Sequence, residues 1–381
     1  MSAPGAAEAQ GAGQARHDAM STGPVRVVGT GLLGASIGMA LRAVGVDVVL
    51  ADPSRTTVLL ARDLGAGRLP ADGDEPPRLV VVAAPPDVTA DVVLAELAAH
   101  PGAFVTDVAS VKSGVLAAVT AAGGDLSRYV GSHPMAGSER SGPTAARPDL
   151  FTGRPWVISP GPNGTRAAVA AVRALALDAG ATPVELDAER HDAAVALVSH
   201  LPQVVASLVA ARLGDADPAA LDLAGQGLRD VTRIAASDPA MWTSILAANA
   251  GAVAPVLRRL RADLDTVLVA LDDSAQGEAP AGALGTLAGA IAAGNGGVAR
   301  IPGKHGGSRR DDDVVVVIVP DRPGELARLL TDMGEVGINL EDLNLEHAPR
   351  QAVGLASLSV ARGVGARLIS ELTERGWKVA G

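Results

Sequence analysis

The chain contains no cysteine. Disulfides and thiolate chemistry are therefore excluded, and the absence fits a reducing, cytoplasmic setting. Aromatic residues are almost as scarce, with two Phe, one Tyr and three Trp in 381 residues. The core has to be built from Val, Leu, Ile and Ala, so every aromatic side chain stands out. Positive charge is also short: 32 Lys and Arg face 42 Asp and Glu, a formal charge of -10. No net positive field would draw in a polyanion, so nucleic acid is not an expected partner. No membrane span is expected either. The uncharged stretch from Ala279 to Ala299 holds Pro280, Asn295 and six glycines, and its Ala/Gly character supplies too little transfer energy, so it reads as a loop or short helix. Residues 1–23 have no basic segment followed by an apolar one and read as a disordered tail.

What is present points to several domains. A chain of 381 residues carries a prior of two or three domains, each able to bury a core. Val25 to Gly29 is an apolar run entering a Gly-rich turn, and Ala35 to Val44 follows with helical spacing. Val46 to Ala51, Leu79 to Ala83 and Ala103 to Asp107 repeat the strand pattern, with a helix over Ala90 to Ala98. Strands alternating with helices imply a parallel, doubly wound Rossmann-type α/β domain over residues 24–186. From about Asp187 to residue 275 the segments Arg190 to Leu213, Pro218 to Ala236 and Pro239 to Asp273 read as long helices of an all-α domain. Apolar helices of this kind often form homodimer interfaces. Residues 276–312 read as a Gly-rich linker. Residues 313–381 follow a β-α-β-β-α plan with room for a last strand at Trp377 to Val379, an α+β ferredoxin-like pattern.

In VRVVGTGLLGASIG, Gly29, Gly31 and Gly34 form G-x-G-x-x-G at the end of a strand, with Leu32 and Leu33 opening the helix. The first glycine allows the turn, the second lets a pyrophosphate approach the backbone, and the third lets helix and strand pack closely. Asp52, 18 residues beyond Gly34 at the end of the second strand, is placed to accept hydrogen bonds from both ribose hydroxyls and to repel a 2′-phosphate. NAD is therefore favoured over NADP, although Arg55 stands close enough in sequence to accommodate such a phosphate.

Further candidates lie beyond the fingerprint. His133 in GSHPMAGSE is expected on a loop beyond the sheet, where an imidazole can take a proton at neutral pH. Ser110 in TDVASVKSG offers a hydroxyl to a substrate oxygen or to that imidazole, or caps a helix. Lys112 reads most simply as a solvated residue at a helix start. Asp192 and His200 are eight residues apart on one helical segment and share a face. Arg233, flanked by apolar residues and followed by Trp242, reads either as a partly buried clamp for a substrate carboxylate, its fork fixed by Asp192, or as a structural ion pair. No metal site is expected.

Taken together, GTGLLGASIG, DVASVKSG, GSHPMAGSE, HDAAVALVSHLPQ, RDVTRIAASDPAMW and IPGKHG, in that order, resemble the prephenate dehydrogenase family of tyrosine biosynthesis. The resemblance implies NAD-dependent oxidative decarboxylation of prephenate to 4-hydroxyphenylpyruvate. It places the catalytic histidine on His133, the bridging hydroxyl on Ser110 and the carboxylate-binding arginine on Arg233, supported by Asp192. His200 matches the first histidine of the family's SHLPH segment, and Gln203 replaces the second. Trp242 matches an aromatic that reaches the pocket from a partner subunit, which implies a homodimer. The segment VVVVIVPDRPGELARLLTDMGEVGINLEDLNLE resembles an ACT regulatory domain, with Asp321, Gly324 and Asn339 where such domains present groups to an amino-acid effector, here expected to be tyrosine. Two rival readings are an arogenate dehydrogenase, because a neutral Gln203 suits either substrate, and a non-catalytic NAD or amino-acid sensor.

Overall fold

A computed structural model describes residues 19–137, 141–275, 282–302, 312–347 and 352–380. Most of the expected tail (1–18), parts of the linker (276–281 and 303–311), Ser138 and Glu139 of GSHPMAGSE, and Gly303 to Gly306 of IPGKHG lie outside the described residues. The chain forms two compact units, Met1–Arg259 and Leu260–Gly381.

The first unit opens with β1 (Val25–Val28), α1 (Leu32–Ala43), β2 (Val48–Ala51), α2 (Arg55–Asp63), β3 (Leu79–Val82), α3 (Thr89–Ala99), β4 (Phe104–Asp107) and α4 (Ser113–Ala121). The four strands are parallel in the order β2-β1-β3-β4. Val25, Val27 and Leu50 pack into one apolar cluster, and Val80, Val82 and Val105 into another. Burial on both sides explains why these strands are continuous apolar runs rather than alternating ones.

The expected all-parallel sheet does not continue. β5 (Val130–Pro134) runs antiparallel to β6 (Pro155–Pro160), which pairs in parallel with β7 (Thr182–Glu185) after α5 (Arg166–Asp178). A parallel bridge between Val105 and Tyr129 joins the two sheets. The chain between β5 and β6 contains a 3₁₀ turn at Pro143–Ala145 and, among the described residues, no crossover helix, and a parallel pairing needs such a crossover.

A helical run then follows: α6 (Ala188–Val195), a π-helical turn (Ala196–His200) and α7 (Leu201–Ala211). Pro202 has no N–H to donate back into the preceding turn, and the π turn sits directly before it. By length and composition this run, with mean hydropathy 1.8, would suffice to cross a membrane. It nevertheless buries His191, Asp192, His200 and Gln203. The two longer helices expected next are broken. Gly225 separates α8 (Pro218–Leu221) from α9 (Gln226–Thr232), and Asn249 separates α10 (Pro239–Ala248) from α11 (Ala250–Ala275).

In the second unit, Ala283–Val298 forms a 16-residue helix, α12, within the segment expected to be a linker. Beyond it come β8 (Asp313–Pro320), α13 (Glu325–Glu335), β9 (Leu340–His347), β10 (Val353–Val360), α14 (Gly365–Glu374) and β11 (Lys378–Ala380), with strand order β11-β8-β10-β9. Alternate residues of β8 and β10 are buried with Leu329, Met333, Leu368, Leu372 and Trp377. One face of this sheet is therefore the core.

Candidate active site

The Gly-rich turn behaves as its spacing predicts. Gly29 has φ of 93°, and a Cβ there would lie 2.4 Å from the Ala83 carbonyl oxygen. A Cβ on Gly34 would lie 1.8 Å from the Gly29 oxygen, so only glycine lets α1 start this close to β1. Gly31 differs, because nothing lies within 4 Å of its Cβ position. Gly31 is also the N-cap of α1, so no N-cap side chain covers the first N–H groups of that helix, including those of Leu32 and Leu33. A helix N-terminus of this kind suits a phosphate group.

Asp52 Oδ2 accepts from the Thr30 N–H at 2.7 Å and the Thr30 hydroxyl at 3.0 Å, and Oδ1 accepts from the Ser54 N–H at 2.8 Å. Those three bonds occupy most of the roughly four acceptor sites of a carboxylate. One ribose hydroxyl fits without rearrangement, where the sequence suggested two. Arg55 opens α2 as an exposed residue.

His133 is not on a loop. It lies in β5 opposite Val157 of β6, where pairing with Trp156–Ser159 overrides the poor strand propensity of Gly131, Ser132 and Pro134. It is the one residue of β5 that is not fully buried. Its Nδ1 is 2.9 Å from Nε2 of His191, and His191 Nδ1 is 2.8 Å from Asp192 Oδ1. Burial, followed by the neighbouring His191, Lys112 and His200, holds the His133 pKa well below the ordinary histidine value, so the ring is neutral at pH 7.

Asp192 carries more than this one bond. Its Oδ1 accepts from the Lys112 N–H and its Oδ2 from the Ser113 N–H, both at 2.8 Å. It thus caps α4, whose own N-cap residue, Lys112, makes no side-chain cap bond. Burial raises its pKa, but the bonds from His191, Ser113 and Lys112 outweigh that and bring it to about 2. The carboxylate expected to fix the fork of Arg233 is instead committed to His191 and α4. Arg233 itself is exposed rather than partly buried, in a short 3₁₀ turn after α9.

Lys112 corrects the sequence reading most sharply. It is 1% exposed and ion-paired with the fully buried Asp107, which also accepts from the Tyr129 hydroxyl at 2.7 Å and the Ala109 N–H at 2.9 Å. Burial lowers the lysine pKa against the pull of Asp107, and raises that of Tyr129. A Cβ on Gly131 would sit 3.3–3.4 Å from Asp107, Lys112 and Tyr129, so β5 passes close over this network. Ser110 is partly exposed, and among the described residues its hydroxyl has no hydrogen-bond partner. Of the alternatives for Ser110, a bond to the His133 imidazole is not made, and His191 is the residue that contacts this ring at Nδ1.

His200 is buried at the end of the π turn. Its Nδ1 lies 3.1 Å from Asn249 Nδ2, which also donates to the Asp192 main-chain oxygen at 2.9 Å. Burial lowers the His200 pKa as well. Trp242 stands edge-on to His200 of its own chain, with ring centres 5.9 Å apart. Trp242, Gln203, Ser237 and Leu246 line a cavity of about 290 Å³. The structure therefore groups His133, Asp192 and His200 with Lys112, which the sequence reads as solvated, and with His191 and Asn249, which sequence reasoning did not single out. The signals for the last two were slight: a histidine adjoining Asp192, and an asparagine within an apolar helical stretch.

Two family models match the chain: prephenate dehydrogenase, nucleotide-binding domain, over residues 37–185, and prephenate dehydrogenase, dimerization domain, over residues 187–279. A probable prephenate dehydrogenase, NovF of Streptomyces niveus, is 39% identical over 360 residues, covering 92% of this chain and 98% of its own. The chain belongs to the prephenate dehydrogenase family. The Aquifex aeolicus member, solved with hydroxyphenyl propionate and NAD+, matches with a TM-score of 0.61 and 26% identity over 73% of this chain and 98% of its own. Synechocystis arogenate dehydrogenase matches with a TM-score of 0.56 and 28% identity over 66% of this chain and 92% of its own. Membership covers both the nucleotide half and the helical run that carries His191, Asp192 and His200.

Proposed function

We propose that the chain is an NAD-dependent prephenate dehydrogenase with His133 as its base. The observation that carries the assignment of the base is the placement of His133 on β5 of the nucleotide half with its Nδ1 2.9 Å from His191 Nε2, which leaves Nε2 free of that contact. Gly31 and the start of α1, with Leu32 and Leu33, cradle the pyrophosphate, Gly29 and Gly34 shape that turn, and Asp52 takes a ribose hydroxyl beside Arg55. Bound NAD supplies the hydride acceptor. His133 Nε2 takes the proton of the C4 hydroxyl as hydride leaves C4. The ring carboxylate then departs as carbon dioxide, its bonding pair completes the aromatic ring, and His133 returns the proton to the phenolic oxygen. Aromatisation drives the step, so the protein mainly has to orient the substrate and hold a base. Arg233 binds a substrate carboxylate, Ser110 bonds a substrate oxygen, and His200, Gln203 and Trp242 line the rest of the pocket.

General-base help is worth about 10²–10⁴-fold, so His133→Asn lowers kcat by about that factor and leaves NAD affinity nearly unchanged. A loss under about 10-fold removes His133 from the role. The second reading, oxidation of arogenate, is favoured by the neutral Gln203 and by the likeness to the Synechocystis enzyme. Rates with prephenate and arogenate, each with NAD and NADP, separate the two.

The helical region assembles a cytoplasmic homodimer. Leu197, Val198 and Leu208 are each more than half exposed along α6 to α7, and a partner's matching face would cover them. Residues 313–381, with their β-α-β-β-α-β order, serve as a ferredoxin-like ACT domain that binds tyrosine. Gly324 starts α13 with φ of 91° and no side-chain cap, leaving N–H groups for a carboxylate, with Asp321 and Asn339 as the further ligand residues. Tyrosine that changes neither activity nor thermal stability removes this assignment.

A further inference from the structure

We infer that Asp192 is a positioning residue that sets opposite tautomers on the two site histidines, through His191 for His133 and through Asn249 for His200. The inference rests on His133 being the base, and it concerns how that base is prepared.

The first chain of bonds starts at the Asp192 side chain. A carboxylate only accepts, so the 2.8 Å contact requires the proton of neutral His191 to be on Nδ1. His191 Nε2 is then a lone pair. The 2.9 Å contact from that atom to His133 Nδ1 is a hydrogen bond only if His133 donates. Neutral His133 thus carries its proton on Nδ1, and Nε2 is left as an acceptor. The second chain starts at the Asp192 main-chain oxygen. That oxygen also only accepts, which fixes the Asn249 amide with Nδ2 towards it at 2.9 Å. The other hydrogen of the same Nδ2 points to His200 Nδ1 at 3.1 Å. His200 Nδ1 must therefore accept, and neutral His200 carries its proton on Nε2.

The two tautomers suit different chemistry. A ring that removes a hydroxyl proton has to present a lone pair, which His133 does at Nε2. A ring that binds a carbonyl or carboxylate oxygen of the substrate has to present an N–H, which His200 does at Nε2. Unassisted imidazole exchanges its two tautomers, so an unfixed His133 would spend part of its time with Nε2 protonated and inert as a base. His191 also gives the developing charge an outlet: as Nε2 of His133 gains a proton, the Nδ1 proton can shift towards His191, whose other nitrogen faces Asp192.

Long-range nitrogen–proton NMR of protein labelled with ¹⁵N-histidine, at a pH about two units above the usual histidine pKa of about 6.5, reads these states directly. Loss of signals in His133→Asn and His200→Asn assigns the rings. We expect the unprotonated-type nitrogen to be Nε2 in His133 and Nδ1 in His200. The reverse pattern, or an averaged signal, in either ring overturns the inference, and this readout needs no turnover. Asn249→Asp replaces the donor by an acceptor and moves the unprotonated nitrogen of His200 to Nε2; an unchanged His200 signal overturns the Asn249 arm. His191→Leu removes the acceptor, averages the His133 signal and lowers kcat at least about 10-fold with little change in KM. His191→Gln keeps an acceptor oxygen and restores most of both. Equal losses in the Leu and Gln variants, with the His133 signal unmoved, overturn the His191 arm. Full activity in His133→Asn, with the expected wild-type spectrum, instead rejects the base assignment and leaves the tautomers standing.

Discussion

The nucleotide turn and the histidine site are both parts of the first unit, but they are made in different ways. At Gly29, Gly31 and Gly34 the working parts are main chain, and side chains matter by being absent. Around His133 the working parts are side chains brought together over long separations: Asp192 meets Lys112 across 80 residues and Asn249 meets Asp192 across 57. The turn tolerates little change at Gly29 and Gly34, where a Cβ would meet main chain. The histidine site depends on buried polar groups that must all be paired at once.

That contrast is broken first at Lys112. Lys112→Met strands the buried Asp107 carboxylate with two donors and no cation, and should cost about 3–5 kcal/mol of unfolding free energy in urea titrations. A loss below about 1 kcal/mol would mean that the pair is dispensable. Gly34→Ala comes next. The clash at 1.8 Å is with main chain, so α1 has to move, and a loss near the upper end of about 1–3 kcal/mol is expected. Asp192 gives a smaller, pH-dependent effect. Its folded pKa of about 2 lies below the ordinary aspartate value of 3.8. Its contribution of about 2 kcal/mol is therefore fully present above the unfolded value and lost as pH falls through about 2. In Asp192→Asn that part of the acid dependence should vanish from denaturation curves measured between about pH 5 and pH 2. Gly31→Ala sharpens the comparison with the least change. Its Cβ meets nothing, so stability should hold within about 0.5 kcal/mol, while NAD affinity measured by calorimetry falls. If stability falls and affinity does not, Gly31 is a packing residue like Gly34.

The same contrast explains what could be read in advance. β1, α1, β2 and the Gly-rich turn were legible because their signals, an apolar run, a glycine spacing and a helical period, each lie within a few residues. The antiparallel turn into β6 was not, because it depends on the missing crossover rather than on the strand sequences. Lys112 looked solvated because it stands beside Ser113 at a helix start, and nothing local reveals that Asp107 and Tyr129 enclose it. Asp192 lies in one cluster with His133 and His200, but its side chain bonds His191 and the start of α4 rather than Arg233. Spacing along a helix told which face it shares with His200, not that α4 would present two unsatisfied N–H groups to it.

The shortage of aromatic residues leaves one tryptophan in each region. Trp156 is fully buried beside Phe151 with its indole N–H unpaired among the described residues. Trp242 is partly exposed next to His200. Trp377 donates to Asp332 at 2.6 Å under the Arg328 guanidinium, 3.8 Å above the ring. Three fluorophores in three surroundings turn the intrinsic emission of this chain into three separate gauges. Each can be isolated by replacing the other two with phenylalanine, so the loosening of the nucleotide half, the histidine site and the C-terminal sheet can each be followed without an added dye.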